Sequence, residues 1–364
     1  MLLENERHDA ILTALQSHTS VRTEELAAAL GVSGMTVRRD LRVLEEQGLL
    51  RRVHGGAVRA KPFAAPKVPA TKARPRATIG MVTPSGSYYY APVIAGAKRA
   101  ARDLGCRLVL GVSDYTEGVE LHQVRRLLDL GVDGLLVTPS RELRENADLR
   151  STLVHARVPV VVVERDLGDD LDEGPLESVR SDHAYGARLA VRHLVELGHA
   201  SIGLALRETP TAPWVQQGFR RAVAEYGLDP DRVFEHGIAR NHGGDSPGRR
   251  SLEELLDRCR QNDTHALLVL TDVDAVGLLD LAGARGLRVP DDLAVVAYDD
   301  EVASLASIPL TAVAPAKHDL GHLAFSMCFE RVSAQPGEGA PSRGRIHLLP
   351  ALNVRESTVL ADRS

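Results

Sequence analysis

The chain has 364 residues, is 44% hydrophobic, 4% aromatic and 26% charged, and carries a formal net charge of −5. That length predicts two or three folding units, and the sequence has no run of about 18 uncharged apolar residues that could span a membrane. Residues Met1 to Arg7 lack the basic start and apolar run of a secretory signal, and Cys106, Cys259 and Cys328 stand isolated. A cytoplasmic chain with reduced thiols is expected.

The charge is unevenly spread. Residues 1–60 balance eight Arg against eight acids, residues 61–76 carry five basic residues and no acid, and the rest is acidic. This is the arrangement expected if only one end approaches phosphates, although a solubilising linker reads the same way.

In chain order, Ile11, Leu12 and Leu15 predict a first helix from Glu6 to about Ser17. Thr23 is placed to cap a second helix over Glu24–Leu30, with Glu24 and Glu25 in its positive first turn and Gly31 at its end. Ser33 starts a third helix that runs to about Gln47. Val37, Leu41 and Leu44 fall on its core face, which leaves Thr36, Arg38, Arg39 and Arg42 on the others. Asp40 either holds Arg39 in position or pairs at the surface. Leu49 to Ala57 then reads as a basic hairpin bearing Arg51, Arg52 and His54.

Together these elements describe a winged helix-turn-helix over residues 1–60. The N-terminal half of its third helix is the part that enters a major groove. There an arginine fork can bind guanine O6 and N7 together, for ~1–3 kcal/mol of discrimination. The predicted DNA-facing set is Ser33, Thr36, Arg38, Arg39 and Arg42, with Arg51, Arg52 and His54 on the wing nearer phosphate than base. For any single arginine, a solvated charge is the plainer reading. Val32 to Leu41, Leu44 to Leu49 and His54 to Ala57 resemble the DeoR-type regulators nearly residue for residue, over about one sixth of the chain.

Residues 61–76 hold four prolines among the basic side chains. They read as a semi-stiff, extended tether.

From Ile79 onward, short apolar strands alternate with amphipathic helices. Strands are expected at Ile79–Val82, Arg107–Leu110, Leu135–Val137 and Val160–Val163, with a restart at Asp182. Further strands are expected at Ile202–Ala205, near Val233, and at Ala266–Leu270 and Leu293–Tyr298. This is the signature of parallel sheets covered on both faces, in two halves that bind ligands between their strand ends.

The phrases Val132-Asp133-Gly134-Leu135-Leu136-Val137, His193-Leu194, Leu197-Gly198-His199, Gly218-Phe219, Val289-Pro290, Tyr298-Asp299-Asp300 and Val354-Arg355-Glu356-Ser357-Thr358 recur in order. In this the body, residues 77–358, resembles the effector domain of LacI/GalR-type regulators. The resemblance implies an α/β fold: the winged head plus a two-subdomain, periplasmic-binding-protein-like body with parallel sheets. The first subdomain is expected over about 77–181 plus 313–345, and the second over about 182–312 plus the C-terminal strand. The proline tether stands where that family has a hinge helix. Val215, beside Trp214, stands where its members often carry a ligand-gripping Arg three residues before Gly-Phe.

Strand ends nominate the effector contacts. Ser87, Tyr88 and Tyr89 follow the first strand, alongside Ser85 and Tyr90. Arg141 follows the third, Arg165 lies at the end of the fourth with Glu164 and Asp166, and Trp214 opens a helix. Asp272 and Asp299 match the family's ligand-contact acids. Carboxylates suit vicinal hydroxyls and aromatic faces suit a sugar's C–H surface, while Arg141 with Arg165 admits an anionic ligand such as a sugar phosphate.

There is no Gly-Lys-Ser/Thr phosphate loop, Gly-x-Ser-x-Gly elbow or His-Glu-x-x-His site. His318 and His322 are spaced to touch one metal, but packed or solvated histidines are the ordinary outcome. No catalytic residue, metal or cofactor is expected. The expected protein is a homodimeric, cytoplasmic repressor of carbohydrate-use genes that binds double-stranded operator DNA and a small sugar-like effector. An activator with the same ligand logic, or a cleft enzyme that keeps a regulatory head, are the alternatives.

Overall fold

The computed structural model describes residues 20–37, 40–41, 50–53, 56–59, 75–168, 176–239, 247–334 and 342–359. It divides into two units, Met1–Arg74 and Pro75–Ser364.

In the smaller unit, strand β1 (Ser20–Arg22) leads into helix α1 (Thr23–Leu30), and strands β2 (Leu50–Val53) and β3 (Gly56–Arg59) form the expected hairpin. β1 joins the hairpin as a third strand, in the order β1-β3-β2, and the sequence reading had missed it. Gly56 is required there because a Cβ would overlap the carbonyl oxygen of Val21. Val21, Leu26, Val37, Leu41 and Ala57 form the core, so Val37 and Leu41 do face inward.

Thr23 does not cap α1. The helix begins at Thr23 itself, Arg22 occupies the cap position without a side-chain bond, and Thr23 is buried. Ser33 does cap the next helical stretch, its Oγ accepting the Thr36 N–H at 3.2 Å. Asp40 is buried, which rules out the surface pair. The expected first helix, Glu6 to Ser17, lies outside the described residues.

The larger unit holds two six-stranded sheets. The first half contains β4 (Thr78–Thr83), β5 (Arg107–Val112), β6 (Gly134–Val137), β7 (Val160–Val163), β8 (Glu177–Ser181) and β14 (Arg345–Leu348), all parallel, in the order β14-β8-β7-β6-β4-β5. Helices α2 (Tyr90–Asp103) and α9 (Lys317–Ser333) cover one face, and α3 (Glu117–Asp129) and α4 (Ala147–Val154) the other. All four residues of β6 and of β7 are buried, as expected of strands covered on both sides.

The second half contains β9 (Gly203–Arg207), β10 (Phe234–Ile238), β11 (Ala266–Leu270), β12 (Ala294–Tyr298), β13 (Thr311–Ala314) and β15 (Ala351–Asn353), in the order β10-β9-β11-β12-β13-β15. Only β15 runs antiparallel to its neighbour. Helices α5 (His183–Glu196) and α6 (Ala212–Glu225) pack on one face, and α7 (Pro247–Gln261) and α8 (Asp272–Ala284) on the other.

The chain passes between the halves three times, at 181–183, 314–317 and 348–351. The second passage differs from the expected boundary, because β13 pairs with β12 and so keeps Val313 in the second half. Asp182 at the first passage caps α5 by accepting the Tyr185 N–H at 2.9 Å, and its own N–H bonds Leu348 O, also at 2.9 Å, at the third.

α2 and α9 meet at two glycines. A Cβ on Gly321 would overlap the carbonyl oxygen of Val93, and one on Gly96 would overlap that of His318. Backbone cannot yield as a side-chain tip does. Gly321→Ala is therefore expected to destabilise the body by about 1–3 kcal/mol in urea unfolding. Gly283→Ala, with nothing within 4 Å of its new methyl, should be neutral or gain about 0.5–1 kcal/mol. Equal stability for both variants would mean that the helices can separate at no expense.

Candidate functional site

The strand ends of both halves converge on one buried polar network. Asp272, the first residue of α8, is fully buried. Its Oδ2 accepts the backbone N–H groups of Glu301 and Val302, each at 2.6 Å, and of Ala303 at 3.2 Å. Its Oδ1 accepts the Tyr88 hydroxyl at 2.5 Å. Tyr88 belongs to the loop after β4, so this bond joins the two halves. The same hydroxyl oxygen lies 3.3 Å from Asp299 Oδ2.

A phenol has one hydrogen, and Tyr88 gives it to Asp272. Burial, with Asp299 and Asp272 adding to it, raises the Tyr88 phenol far above its usual range, so it remains a donor. Burial likewise pushes Asp299 up to about 7, with Asp272 adding to the rise and Lys317 opposing it. A protonated Asp299 can donate to Tyr88 and complete a relay, Asp299 to Tyr88 to Asp272. Asp299 sits at φ 92°, a left-handed conformation that places its side chain inward at the end of β12.

A second branch surrounds Glu164 at the end of β7. Its carboxylate accepts the Tyr89 hydroxyl, the Ser181 hydroxyl at 2.6 Å and the Ser181 N–H at 2.9 Å. His183 Nε2 lies 3.6 Å away. Burial alone would raise this carboxyl, but His183 and the two Ser181 bonds outweigh it and hold Glu164 at about 2. Lys317, at the start of α9, bonds the Asp299 carbonyl and pairs with Glu301 at 2.5 Å.

Of the effector contacts read from the sequence, Tyr88, Tyr89, Asp272 and Asp299 meet in this network. Arg165 is buried beside it, and Trp214 borders the same pocket together with Glu164, Asp166, Arg180 and His183. This pocket measures about 10 Å³, room for roughly one water molecule, so a larger ligand requires the halves to part. Ser87 bonds Ser85 in the exposed part of the loop. Arg141 does not join the group: it is 66% exposed and paired with Glu117 at 2.8 Å.

Sequence reasoning missed Arg180, His183, Glu301 and Lys317. Arg180 lies on β8, which had not been read as a strand; a charged residue two positions before the Asp182 restart was the available signal.

In the smaller unit, Ser33 and Thr36 stand at the start of the third helix with their hydroxyls 2.9 Å apart. Arg38, Arg39, Arg42 and His54 lie outside the described residues, and only the backbone of Arg51 and Arg52, on β2, is described. His318 is 53% exposed beside Asp319, and among the described residues no group of three or more potential ligands is placed to hold a metal ion. No helix among the described residues is long and apolar enough to cross a membrane.

A winged head and a two-lobed parallel α/β body with polar groups gathered between its lobes define a class: DNA-binding regulators with a ligand-binding body. The comparisons agree. Residues 7–63 match the model of the DeoR-like helix-turn-helix domain, and residues 191–358 that of the periplasmic binding protein-like domain. The HTH-type transcriptional repressor PurR of Haemophilus influenzae (strain PittEE) is 32% identical over 290 residues, covering 77% of this chain and 81% of PurR. The arabinose metabolism transcriptional repressor of Geobacillus stearothermophilus is 28% identical over 342 residues, covering 92% of this chain and 90% of that repressor. The solved complex of the transcriptional regulator CelR with cellobiose aligns with a TM-score of 0.64 at 25% identity, over 93% of this chain and 99% of that one.

The chain belongs to the LacI-type family of transcriptional regulators, and it carries a DeoR-like head. It is a DNA-binding transcriptional regulator.

The relay at Asp299 makes stability depend on pH. In the unfolded chain an aspartate titrates near about 3.9, so the folded protein holds a proton that the unfolded chain has released. Stability contributed through Asp299 should therefore fall as pH rises from about 4 to about 7, then level off. Asp299→Asn cannot ionise, so its unfolding free energy in urea should gain on the wild type across that window. Parallel pH profiles for the two proteins would place Asp299 in its ordinary range.

Proposed function

We propose that the chain represses carbohydrate-use genes, binding double-stranded operator DNA as a cytoplasmic homodimer, with its DNA affinity set by a small sugar-like effector held between the two halves of the body. The observation that carries this reading is the Tyr88 hydroxyl bonded across the cleft to Asp272 and facing Asp299. The groups that hold the halves together are the same kinds of group that bind polyols. Carboxylates accept from vicinal hydroxyls, and the Trp214 and tyrosine rings pack against C–H faces. An effector seated there changes which bonds cross between the halves, which is the differential interaction that a ligand needs in order to shift a conformational equilibrium. The arabinose and cellobiose named for two relatives support the same ligand class.

Effector contact falls to Ser87, Tyr88, Tyr89, Arg165, Trp214, Asp272 and Asp299. DNA contact falls to Ser33, Thr36, Arg38, Arg39 and Arg42 on the recognition helix, and to Arg51, Arg52 and His54 on the wing. A coupling of about 1–3 kcal/mol between the two sites alters DNA affinity some 5–150-fold.

Two measurements test this. In a thermal-shift panel of sugars, sugar derivatives and nucleosides, an effector at about 100 times its Kd should stabilise the body by ~2.7 kcal/mol and should change operator affinity in a fluorescence titration. A binding sugar that leaves operator affinity unchanged would refute the regulatory role. Replacing both Arg38 and Arg39 with Ala should abolish specific operator binding without lowering the melting temperature of the body. Retained operator affinity would remove them from the DNA contact.

A further inference from the structure

The cleft mouth contains one buried cation, Arg165, and one partly buried cation, Arg180, that the network leaves incompletely neutralised. Arg180, on β8 of the first half, stacks on Trp214 of α6 in the second, with Cζ 4.6 Å from the ring centroid. Its side chain is 11% exposed. Nε donates to His347 Nε2 at 3.0 Å, and His347 is its register partner on β14. From Nε the Asp166 carboxylate is 3.7 Å away, beyond hydrogen-bonding distance. The two terminal amino groups make no hydrogen bond to any described residue.

Arg165 borders the same pocket. It donates to the Glu164 carbonyl at 2.7 Å and to the Tyr90 hydroxyl at 3.1 Å, while its buried Nε has no partner. Neither guanidinium is hydrogen-bonded to a carboxylate.

Two neighbouring acids are already engaged elsewhere, and Asp166 faces Arg180 without a hydrogen bond. Glu164 is committed to Tyr89, Ser181 and His183, and Glu142 pairs with Arg144 at 2.5 Å. A partly desolvated guanidinium that stands 3.7 Å from its counter-charge without a hydrogen bond to it is incompletely satisfied. The group that best offsets it is a planar anion that takes two parallel N–H bonds from one guanidinium. A carboxylate fits that description. A phosphate dianion would bring more charge against Asp166 and Glu164.

We propose that the effector is a polyhydroxylated carboxylic acid, a sugar acid, whose carboxylate is taken by the terminal amino groups of Arg180 over the face of Trp214, while its hydroxyls meet the carboxylates deeper in the cleft. This rests on the sugar-class reading of the cleft above. His347 positions Arg180, since its Nε2 accepts only when unprotonated.

The test is calorimetric titration of the full chain with glucuronate, galacturonate and gluconate, with glucose and galactose as neutral parents, and with glucose 6-phosphate. Wild type, Arg180→Gln and Arg180→Lys are compared, each checked for an unchanged melting temperature. At least one acid should bind about tenfold or more tighter than its neutral parent, a difference of ~1.4 kcal/mol. Arg180→Gln should erase that preference, and Arg180→Lys should keep part of it. A purely structural role for Arg180 would instead weaken neutral and acidic sugars alike.

Neutral sugars binding as well as or better than the acids would overturn the proposal and leave the sugar-class reading standing. Tightest binding of glucose 6-phosphate, or an acid preference that survives Arg180→Gln, would also overturn it. Silence across the whole panel would remove both readings.

Discussion

The cleft depends on how one buried carboxylate is satisfied. Asp272 has no contact with solvent, and an ionised carboxylate in such a place must be fully bonded or be neutralised. Its position at the start of α8 provides the favourable end of the helix dipole, and the loop after β12 provides three backbone N–H groups. Those bonds fix residues 301–303. The loop then carries Asp299 into its inward, left-handed conformation and brings Glu301 to Lys317. Removing the carboxylate would strand three amides and release the loop that aims the rest of the network.

Because one acceptor position of Asp272 is left for Tyr88, the two halves are joined by the protein's own groups. Lys317 to Glu301 and Arg180 to Trp214 are further links of the same kind, each between residues on opposite halves. A ligand in the cleft therefore substitutes for existing polar bonds instead of adding contacts to bare surface. Its selectivity comes from how well it satisfies each donor and acceptor that the parting halves leave open, and unmatched buried groups weigh heavily against a wrong ligand.

The strands and helices were legible in the sequence wherever burial is two-sided. β6 and β7 are unbroken apolar runs, and at Asp182, where the pattern restarts, the structure adds a side-chain cap that had not been read. The elements that escaped are short or mixed in character: β1 with three residues, β8 with Glu177 and Arg180, β13 with four residues, and β14 with Arg345 and His347. Their pairing comes from partners distant in the chain, which periodicity cannot see. The site followed the same division. Tyr88, Asp272 and Asp299 announce themselves at strand ends, whereas Arg141 shares that address yet pairs with Glu117 at the surface. Lys317 and Arg180 matter through tertiary neighbours, and Thr23 lost the expected cap because α1 begins at that residue.

The three passages between the halves have a consequence for biosynthesis. The first half is discontinuous: α9 covers one face of its sheet and β14 forms an edge, yet both lie after nearly all of the second half in the chain. A ribosome making this protein completes β4 to β8 early, but with one face covered by α2 alone, and Ile79, Met81, Leu136 and Val161 must wait for Phe325 and Cys328 before their core closes. The second half, nested between, has its helices and all but one strand in a single continuous stretch, and it can consolidate first. The order of maturation is thus the reverse of the order of synthesis, and the interval exposes to chaperones or to other nascent chains the part of an apolar sheet face that α9 later covers.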